Sequence, residues 1–247
     1  MAEEEGFIDG PNGRLAWRRV GGTAPGVFWL SGFRSTMTGT KASFLADWAA
    51  GTGRAYVRFD YSGHGASEGR FEDGSISAWT ADALAAFDAL TEGPQILVGS
   101  SMGGWVAALL ALRRAARTAG AVFIAPAPDF TEELVWKELS AAQRQTLMDA
   151  GRIEIPSPYF EEPNLFTRTM IEDGRRNLVL GGPVAIAAPV RILQGMADKD
   201  VPWSHAARFA ALLAADDLTL TLVKKGDHSL SAPADLARLA RAIEEVS

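Results

Sequence analysis

The chain has 247 residues, a formal net charge of −6 and an apolar fraction of 47%. This length and apolar content fit one α/β domain with a large core, and the acidic balance argues against binding to nucleic acid. The chain contains no cysteine, which excludes disulfides, a thiolate nucleophile and cysteine-ligated zinc. Its three histidines form no His-x-x-x-His pair, and we predict neither a metal nor a cofactor.

The first half of the chain alternates apolar runs, which predict strands, with amphipathic stretches, which predict helices. The pair Asn12-Gly13, between two extended runs, predicts an N-terminal hairpin. Buried strands are predicted at residues 27–30, 55–59, 95–98 and 121–125. Helices are predicted at residues 41–50 and 106–114, and a further helix is predicted from Trp79 to Leu90, where the spacing of apolar residues suits one apolar face.

The alternation stops between residues 126 and 188. Residues 130–150 look helical, several prolines follow, and residues 167–174 predict a second short helix. Because structureless loops of this length are more often functional than passive, we predict a cap at 126–188, inserted into a single domain of residues 1–247. The sheet resumes with predicted strands and helices at 190–193, 203–213, 218–223 and 232–246.

The stretch Val98–Trp105 contains Gly-x-Ser-x-Gly, with Ser101 at its centre, between a predicted buried strand and an Ala- and Leu-rich predicted helix. A strand that turns sharply into a helix exposes the turn residue in a strained backbone conformation. Gly99 and Gly103 remove side chains that would clash across so tight a turn. We therefore predict that Ser101 is a nucleophile.

A serine hydroxyl is a weak nucleophile unless a base accepts its proton, and the base is usually histidine. His228 follows the predicted strand 218–223, at the edge of the sheet where functional loops lie. His64 precedes Ser101 inside a turn-like Gly-His-Gly, and His205 lies in the first turn of a predicted helix. We therefore predict His228 as the base.

The base needs a carboxylate to orient it. Asp198 follows the predicted strand 190–193, and the chain order of serine, then aspartate, then histidine suits this kind of site. Asp200 and Asp129 are alternatives on position alone. Asp200 has a second interpretation as a helix cap, because Pro202 stands at a favoured first helical position.

An oxyanion needs two backbone N–H donors, and the chain offers them beside the predicted nucleophile. We predict the N–H of Met102, directly after the nucleophile, and that of Phe33, in the Gly- and Ser-rich loop after strand 27–30. Arg34, next to Phe33, and Trp136, in the predicted cap, are predicted to contact substrate.

Four signatures of one family occur in order: Asp60-x-x-Gly63-His64-Gly65-x-Ser67, Gly99-x-Ser101-x-Gly103-Gly104, Asp198-x-x-Val201-Pro202 and Gly226-Asp227-His228. On these motifs the chain resembles α/β-hydrolase-fold serine hydrolases over essentially its whole length. The resemblance implies an α/β-hydrolase fold, with a mostly parallel eight-stranded sheet flanked by helices and a small helical cap. It also implies that the Asp60 loop is structural, so that His64 is not catalytic, and it favours Asp198 over Asp200.

A narrower resemblance rests on three stretches, residues 37–42, 58–63 and 99–105. They are similar to the mitochondrial palmitoyl-protein thioesterases that also cleave acyl glucuronides. The N-terminal residues are acidic, unlike a secretory signal or a transit peptide, and no apolar run approaches the roughly 18 residues that span a membrane. With the Ala-rich, Cys-free composition, these features indicate a bacterial relative in the cytoplasm without a membrane span.

We therefore predict hydrolysis of a carboxylic ester or an acyl-thioester through an acyl-enzyme, acting on a small-molecule or acylated substrate. Acyl transfer and C–C bond hydrolysis use the same machinery and are alternatives. A protein that keeps this fold and binds a ligand without turnover is a third interpretation, although it would have no need for a serine, a histidine and an aspartate together.

Overall fold

A computed structural model describes residues 3–157 and 161–247 of the chain. In this part of the chain the strands are β1 (Glu3–Gly10), β2 (Gly13–Val20), β3 (Thr23–Leu30), β4 (Arg54–Phe59), β5 (Gln95–Ser100), β6 (Thr118–Ile124), β7 (Arg152–Ile155), β8 (Asn164–Thr167), β9 (Val190–Gly195) and β10 (Leu218–Val223). The α-helices are α1 (Thr40–Thr52), α2 (Ile76–Leu90), α3 (Met102–Arg113), α4 (Ala141–Ala150), α5 (Arg168–Arg175), α6 (Trp203–Leu212) and α7 (Pro233–Glu245).

Eight strands form one sheet in the order β1-β2-β4-β3-β5-β6-β9-β10. β2 pairs antiparallel with β1 and with β4, and the remaining neighbours pair in parallel. The predicted mostly parallel eight-stranded sheet is therefore confirmed. β4 and β5 lie on opposite sides of β3, so the strand order reverses there. In open parallel sheets, ligands bind at such a reversal, beyond the carboxyl ends of the strands.

The sheet has a helical layer on each face because successive residues of its buried strands point to opposite sides. On one face Trp29 packs in a cluster with Leu45 of α1 and Ile243 of α7. On the other face Phe28 packs in a second cluster with Trp105 of α3, and this cluster also includes buried residues of α2, α6 and the segment between β6 and β9. The carboxyl edge of the sheet thus lies above a core that is closed on both sides.

The segment between β6 and β9 differs from the prediction in two ways. The single helix predicted at 130–150 is divided into a π-helical stretch, Thr131–Trp136, and α4, because Ser140 forms a capping box with Gln143 and starts a new helix. An antiparallel hairpin of β7 and β8, absent from the prediction, precedes α5. The predicted short helix at 167–174 corresponds to α5, which Thr167 caps.

None of the helices in the described part of the chain is both long and apolar enough to cross a membrane.

Candidate active site

Ser101 lies at the turn between β5 and α3, with φ of 54° and ψ of −121°. A Cβ added at Gly99 would lie 2.3 Å from the carbonyl oxygen of Gly103, and one added at Gly103 would lie 2.1 Å from that of Leu30. No side chain fits at such distances. The predicted clash across the turn is therefore confirmed for Gly99, whereas Gly103 is required by the close approach of the end of β3. The tight turn holds the serine at the carboxyl edge of the sheet.

The structure brings the predicted nucleophile, base and acid into one hydrogen-bonded chain. His228 Nε2 lies 3.0 Å from Ser101 Oγ, and His228 Nδ1 lies 2.8 Å from Asp198 Oδ2. The Asp198 side chain is fully buried, and 16% of the His228 side chain is exposed. The histidine therefore bridges a buried carboxylate and the serine while one edge remains open to a substrate.

Two sets of donors hold the Asp198 carboxylate. Its Oδ1 accepts the backbone N–H groups of Asp200 and Val201, both at 2.9 Å, and its Oδ2 also accepts Gln194 Nε2 at 3.1 Å. Burial raises the pKa of Asp198, but His228 and the two backbone donors outweigh burial and bring it below its ordinary value. The carboxylate is therefore ionised and fixed in orientation at neutral pH.

Sequence reasoning did not identify two polar side chains beside this group. Gln194 is buried at the end of β9, and its Nε2 donates to the carbonyl oxygen of Val201 as well as to Asp198. Lys41 of α1 donates through Nζ to the carbonyl oxygen of Ser229, which follows His228. Burial lowers the pKa of Lys41 to about 8. In the sequence, the one signal that could have pointed to Gln194 was its position as a polar residue directly after the apolar run 190–193.

Phe33 lies in a turn in which Ser35 N donates to the carbonyl oxygen of Gly32 at 3.0 Å. The N–H of Phe33 is outside that bond and donates to no described residue of the protein. A Cβ added at Gly32 would lie 3.4 Å from Ser101 Cβ, so this turn lies against the nucleophile. Met102 is the first residue of α3, and its N–H has no acceptor within the helix.

The alternative histidines and aspartates have other hydrogen-bond partners. His64 Nδ1 lies 3.2 Å from the carbonyl oxygen of Ser62, and His205 Nε2 lies 2.8 Å from that of Pro128. Asp129 accepts the backbone N–H groups of residues 179 and 180 and so joins the segment before β9 to the loop after β6.

Asp200 does not cap α6. That helix begins at Trp203, with Pro202 in the N-cap position and no side-chain cap. Pro202 was expected at the first helical position, and it stands one residue earlier because its backbone is extended, with ψ of 139°.

Arg34 and Trp136, the predicted substrate contacts, lie apart: Arg34 is in the turn after β3, and Trp136 is in the predicted cap. Arg34 lines a cavity of about 270 Å³ between the body of the protein and the hairpin of β7 and β8, together with His64, Phe71 and Leu165. The Trp136 ring contacts the guanidinium groups of two residues of the predicted cap, Arg144 and Arg175. No contact between Trp136 and the serine, histidine or aspartate occurs among the described residues, and its role in substrate binding stays a prediction.

Within the described residues, Asp198, Asp200 and His228 offer a group of possible metal ligands whose donor atoms lie within 4.8 Å of one another. A cation bound by both Asp198 and His228 would compete with the hydrogen bond that joins them. The donor set therefore fits proton transfer to and from Ser101 better than it fits metal binding.

The comparison with known proteins agrees with this geometry. Residues 25–168 match the Hydrolase_4 family, described as serine aminopeptidase, S33. The chain is 35% identical to the mitochondrial palmitoyl-protein thioesterase ABHD10 of Bos taurus over 239 residues, which are 96% of this chain and 77% of the bovine protein.

Two solved structures resemble the whole fold. A putative hydrolase from Agrobacterium vitis S4 has a TM-score of 0.96 and 46% identity, covering 100% of this chain and 99% of that one. Mouse alpha/beta hydrolase domain-containing protein 10 has a TM-score of 0.91 and 30% identity, covering 98% of each chain. The resemblance inferred from the motifs is confirmed: the chain is a hydrolase of the α/β-hydrolase fold and belongs to the Hydrolase_4 family, with the ABHD10 proteins among its homologues.

Proposed function

We propose that this hydrolase cleaves carboxylic esters or acyl-thioesters through an acyl-enzyme, with Ser101 as nucleophile, His228 as base and Asp198 as the orienting acid. The observation that carries the proposal is the continuous chain of hydrogen bonds from Ser101 Oγ through His228 to Asp198. The thioester part is supported by the bovine relative, which is named a palmitoyl-protein thioesterase.

The geometry supports the following sequence of steps. His228 Nε2 accepts the hydroxyl proton while Ser101 Oγ attacks the carbonyl carbon of the substrate. The N–H groups of Phe33 and Met102 stabilise the negative charge that develops on the carbonyl oxygen. His228 then gives its proton to the departing alcohol or thiol, and water, activated in the same way, releases the acid and restores the serine. Asp198 holds the imidazole in the tautomer that these transfers need.

The substrate in this proposal is a small molecule or another acylated compound whose acyl group lies under the cap. Residues 126–188 act as that cap within one domain of residues 1–247. Phe130 brings an aromatic ring from this segment against Phe33, beside the serine turn, and so contributes to an apolar surface for an acyl chain. A cytoplasmic location stays a prediction, since the bovine relative is named a mitochondrial protein.

Covalent labelling tests the chemistry directly. A fluorophosphonate probe should label the wild-type protein at one serine, and Ser101→Ala should neither react with the probe nor hydrolyse p-nitrophenyl acetate or an acetyl-thioester. Ser100→Ala is the matched control, because Ser100 is the buried last residue of β5 and lies outside the hydrogen-bonded chain. Labelling that persists in Ser101→Ala and disappears in Ser100→Ala would contradict the proposal.

A further inference from the structure

The ring of Phe33 packs in an aromatic cage that joins the body of the protein to the cap. Two of its neighbours come from the body, Phe71 at 5.0 Å and Trp79 at 6.1 Å between ring centroids. The other two come from the cap, Phe166 at 5.4 Å and Phe130 at 5.7 Å. The side chain of Phe33, in the turn beside the serine, is therefore fixed partly by the cap.

The contact with Phe166 differs in geometry from the others. The two ring planes are 2° apart, so the rings stack, whereas the remaining neighbours meet Phe33 at 61° to 75°. Phe166 is buried in β8 and lies opposite Ile153 of β7, in the hairpin that the sequence did not predict. The stack thus connects the turn at residue 33 to an ordered part of the cap.

Arg34 makes a second connection to the same hairpin. Its guanidinium donates to the carbonyl oxygens of Glu162, at 3.1 Å, and Pro163, at 2.8 Å. Its backbone has φ of 57°, at the third position of a turn, where glycine is the usual residue. An arginine keeps this conformation only when its surroundings hold it, and the contacts of Phe33 and Arg34 with the hairpin supply such support.

We propose that the hairpin of β7 and β8 positions the N–H of Phe33 for the oxyanion, through the ring of Phe166 and the guanidinium of Arg34. Phe166 is then a positioning residue: it acts through Phe33 and touches no reacting atom. This inference rests on the proposed function, because it takes the Phe33 N–H as an oxyanion donor. It assigns to the cap an effect on the chemical step, separate from any effect on substrate choice.

The size of the expected effect follows from how narrow the donor geometry is. An oxyanion donor acts when it lies about 2.7–3.1 Å from the oxygen, and removal of one donor lowers kcat by about 10²–10³. Phe166→Leu shifts the donor rather than removing it. We therefore expect kcat to fall by about 10- to 100-fold, since a misplacement of about 1 Å can cost up to 10².

The experiment compares p-nitrophenyl acetate with p-nitrophenyl octanoate, because an acetyl group is too short to depend on an acyl pocket. Phe166→Leu should lower kcat by the same factor on both esters, with KM little changed, and Phe166→Tyr, which keeps the stacked ring, should recover most of the rate. Met170→Ala is the matched control: it removes a similar number of atoms from a buried cap residue outside the cage and should leave kcat unchanged.

A second readout reports on the oxyanion itself. A trifluoromethyl ketone forms a tetrahedral adduct with the serine, and its affinity should fall in Phe166→Leu by about the same factor as kcat. If Phe166→Leu does not fold, Arg34→Ala removes the hydrogen bonds of the guanidinium to the hairpin. It should lower kcat by the same factor on both esters, and Arg34→Lys, which keeps the charge, is the variant to compare with it.

Three results separate this inference from the proposed function. Full kcat on both esters in folded Phe166→Leu and Arg34→Ala would overturn the inference, and so would a loss confined to octanoate, which is the sign of a pocket. In both cases an inactive Ser101→Ala leaves the proposed function standing. An active Ser101→Ala would instead overturn the proposed function, and the inference with it.

Discussion

The substitution Asp198→Asn tests the orienting acid, because the surroundings of Asp198 decide which way the new amide must face. Oδ1 accepts two backbone N–H groups, from Asp200 and Val201, so the amide oxygen of Asn has to stay at that position. The amide NH₂ then takes the place of Oδ2 and points at His228 Nδ1. It donates where the carboxylate accepted, and the proton of the imidazole is forced to Nε2. A protonated Nε2 cannot accept the hydroxyl proton of Ser101.

The opposite orientation of the amide is worse. It would place the NH₂ group against the two backbone N–H donors that the Oδ1 atom accepts. With the amide nitrogen at the position of Oδ2, Gln194 Nε2 loses that acceptor but keeps the carbonyl oxygens of Gly195 and Val201. In the opposite orientation both backbone donors lose their acceptor. We expect kcat to fall by about 10⁴, which corresponds to about 5.4 kcal/mol of lost transition-state stabilisation, while the fold is retained.

The assay measures kcat and KM on p-nitrophenyl acetate at one pH for Asp198→Asn, Asp200→Asn and Asp129→Asn. Asp129 is the matched control because it is also a buried aspartate whose carboxylate accepts two backbone N–H groups. Those groups belong to residues 179 and 180, in the segment before β9, rather than to the loops that carry Asp198 and His228. Asp129→Asn should lower the free energy of unfolding by about 1–3 kcal/mol and change kcat little. A larger loss of kcat at Asp129 or Asp200 than at Asp198 would refute this reasoning.

Three further predictions follow. Ser101→Ala should lower kcat by about 10⁶, as the loss of a triad nucleophile does, and Ser100→Ala should be much milder; the reverse order in kinetic assays would move the nucleophile. In a series of p-nitrophenyl esters, kcat/KM should rise with acyl length until the pocket is full, since each buried methylene contributes about 0.8 kcal/mol, and then fall. Trp136→Ala should shift that optimum and retain activity on acetyl esters, whereas a flat profile unchanged by the substitution would show that the cap does not select the substrate. Burial lowers the pKa of Lys41 to about 8, from 10.5. Between these pH values the unfolded chain binds a proton that the folded chain does not, so this residue makes the free energy of unfolding rise with pH. Urea titrations at pH 7, 8, 9 and 10 should show that the free energy of unfolding rises less with pH in Lys41→Met than in the wild type. The same pH dependence in both proteins would contradict the lowered pKa of Lys41.

The sequence by itself determined the features that depend on local chemistry. A glycine two residues before Ser101 and another two residues after it predicted the serine turn, because a side chain at Gly99 would clash with Gly103 across that turn. The clash avoided at Gly103 is with Leu30, at the end of β3, and only the tertiary structure shows it. Apolar runs and their spacing predicted the eight strands of the sheet. The order of the loops after β5, β9 and β10 indicated where a serine, an aspartate and a histidine would meet, since the carboxyl ends of parallel strands share one edge.

Only the tertiary structure decided the contacts between segments far apart in the chain. An unpredicted hairpin, β7 with β8, packs over the turn at residue 33. Arg34 donates to backbone atoms about 130 positions away, and Lys41 reaches the loop of the base across a still longer separation. Periodicity and capping describe neighbours in sequence, whereas these pairings depend on how the cap and the sheet pack against each other, which no short pattern encodes.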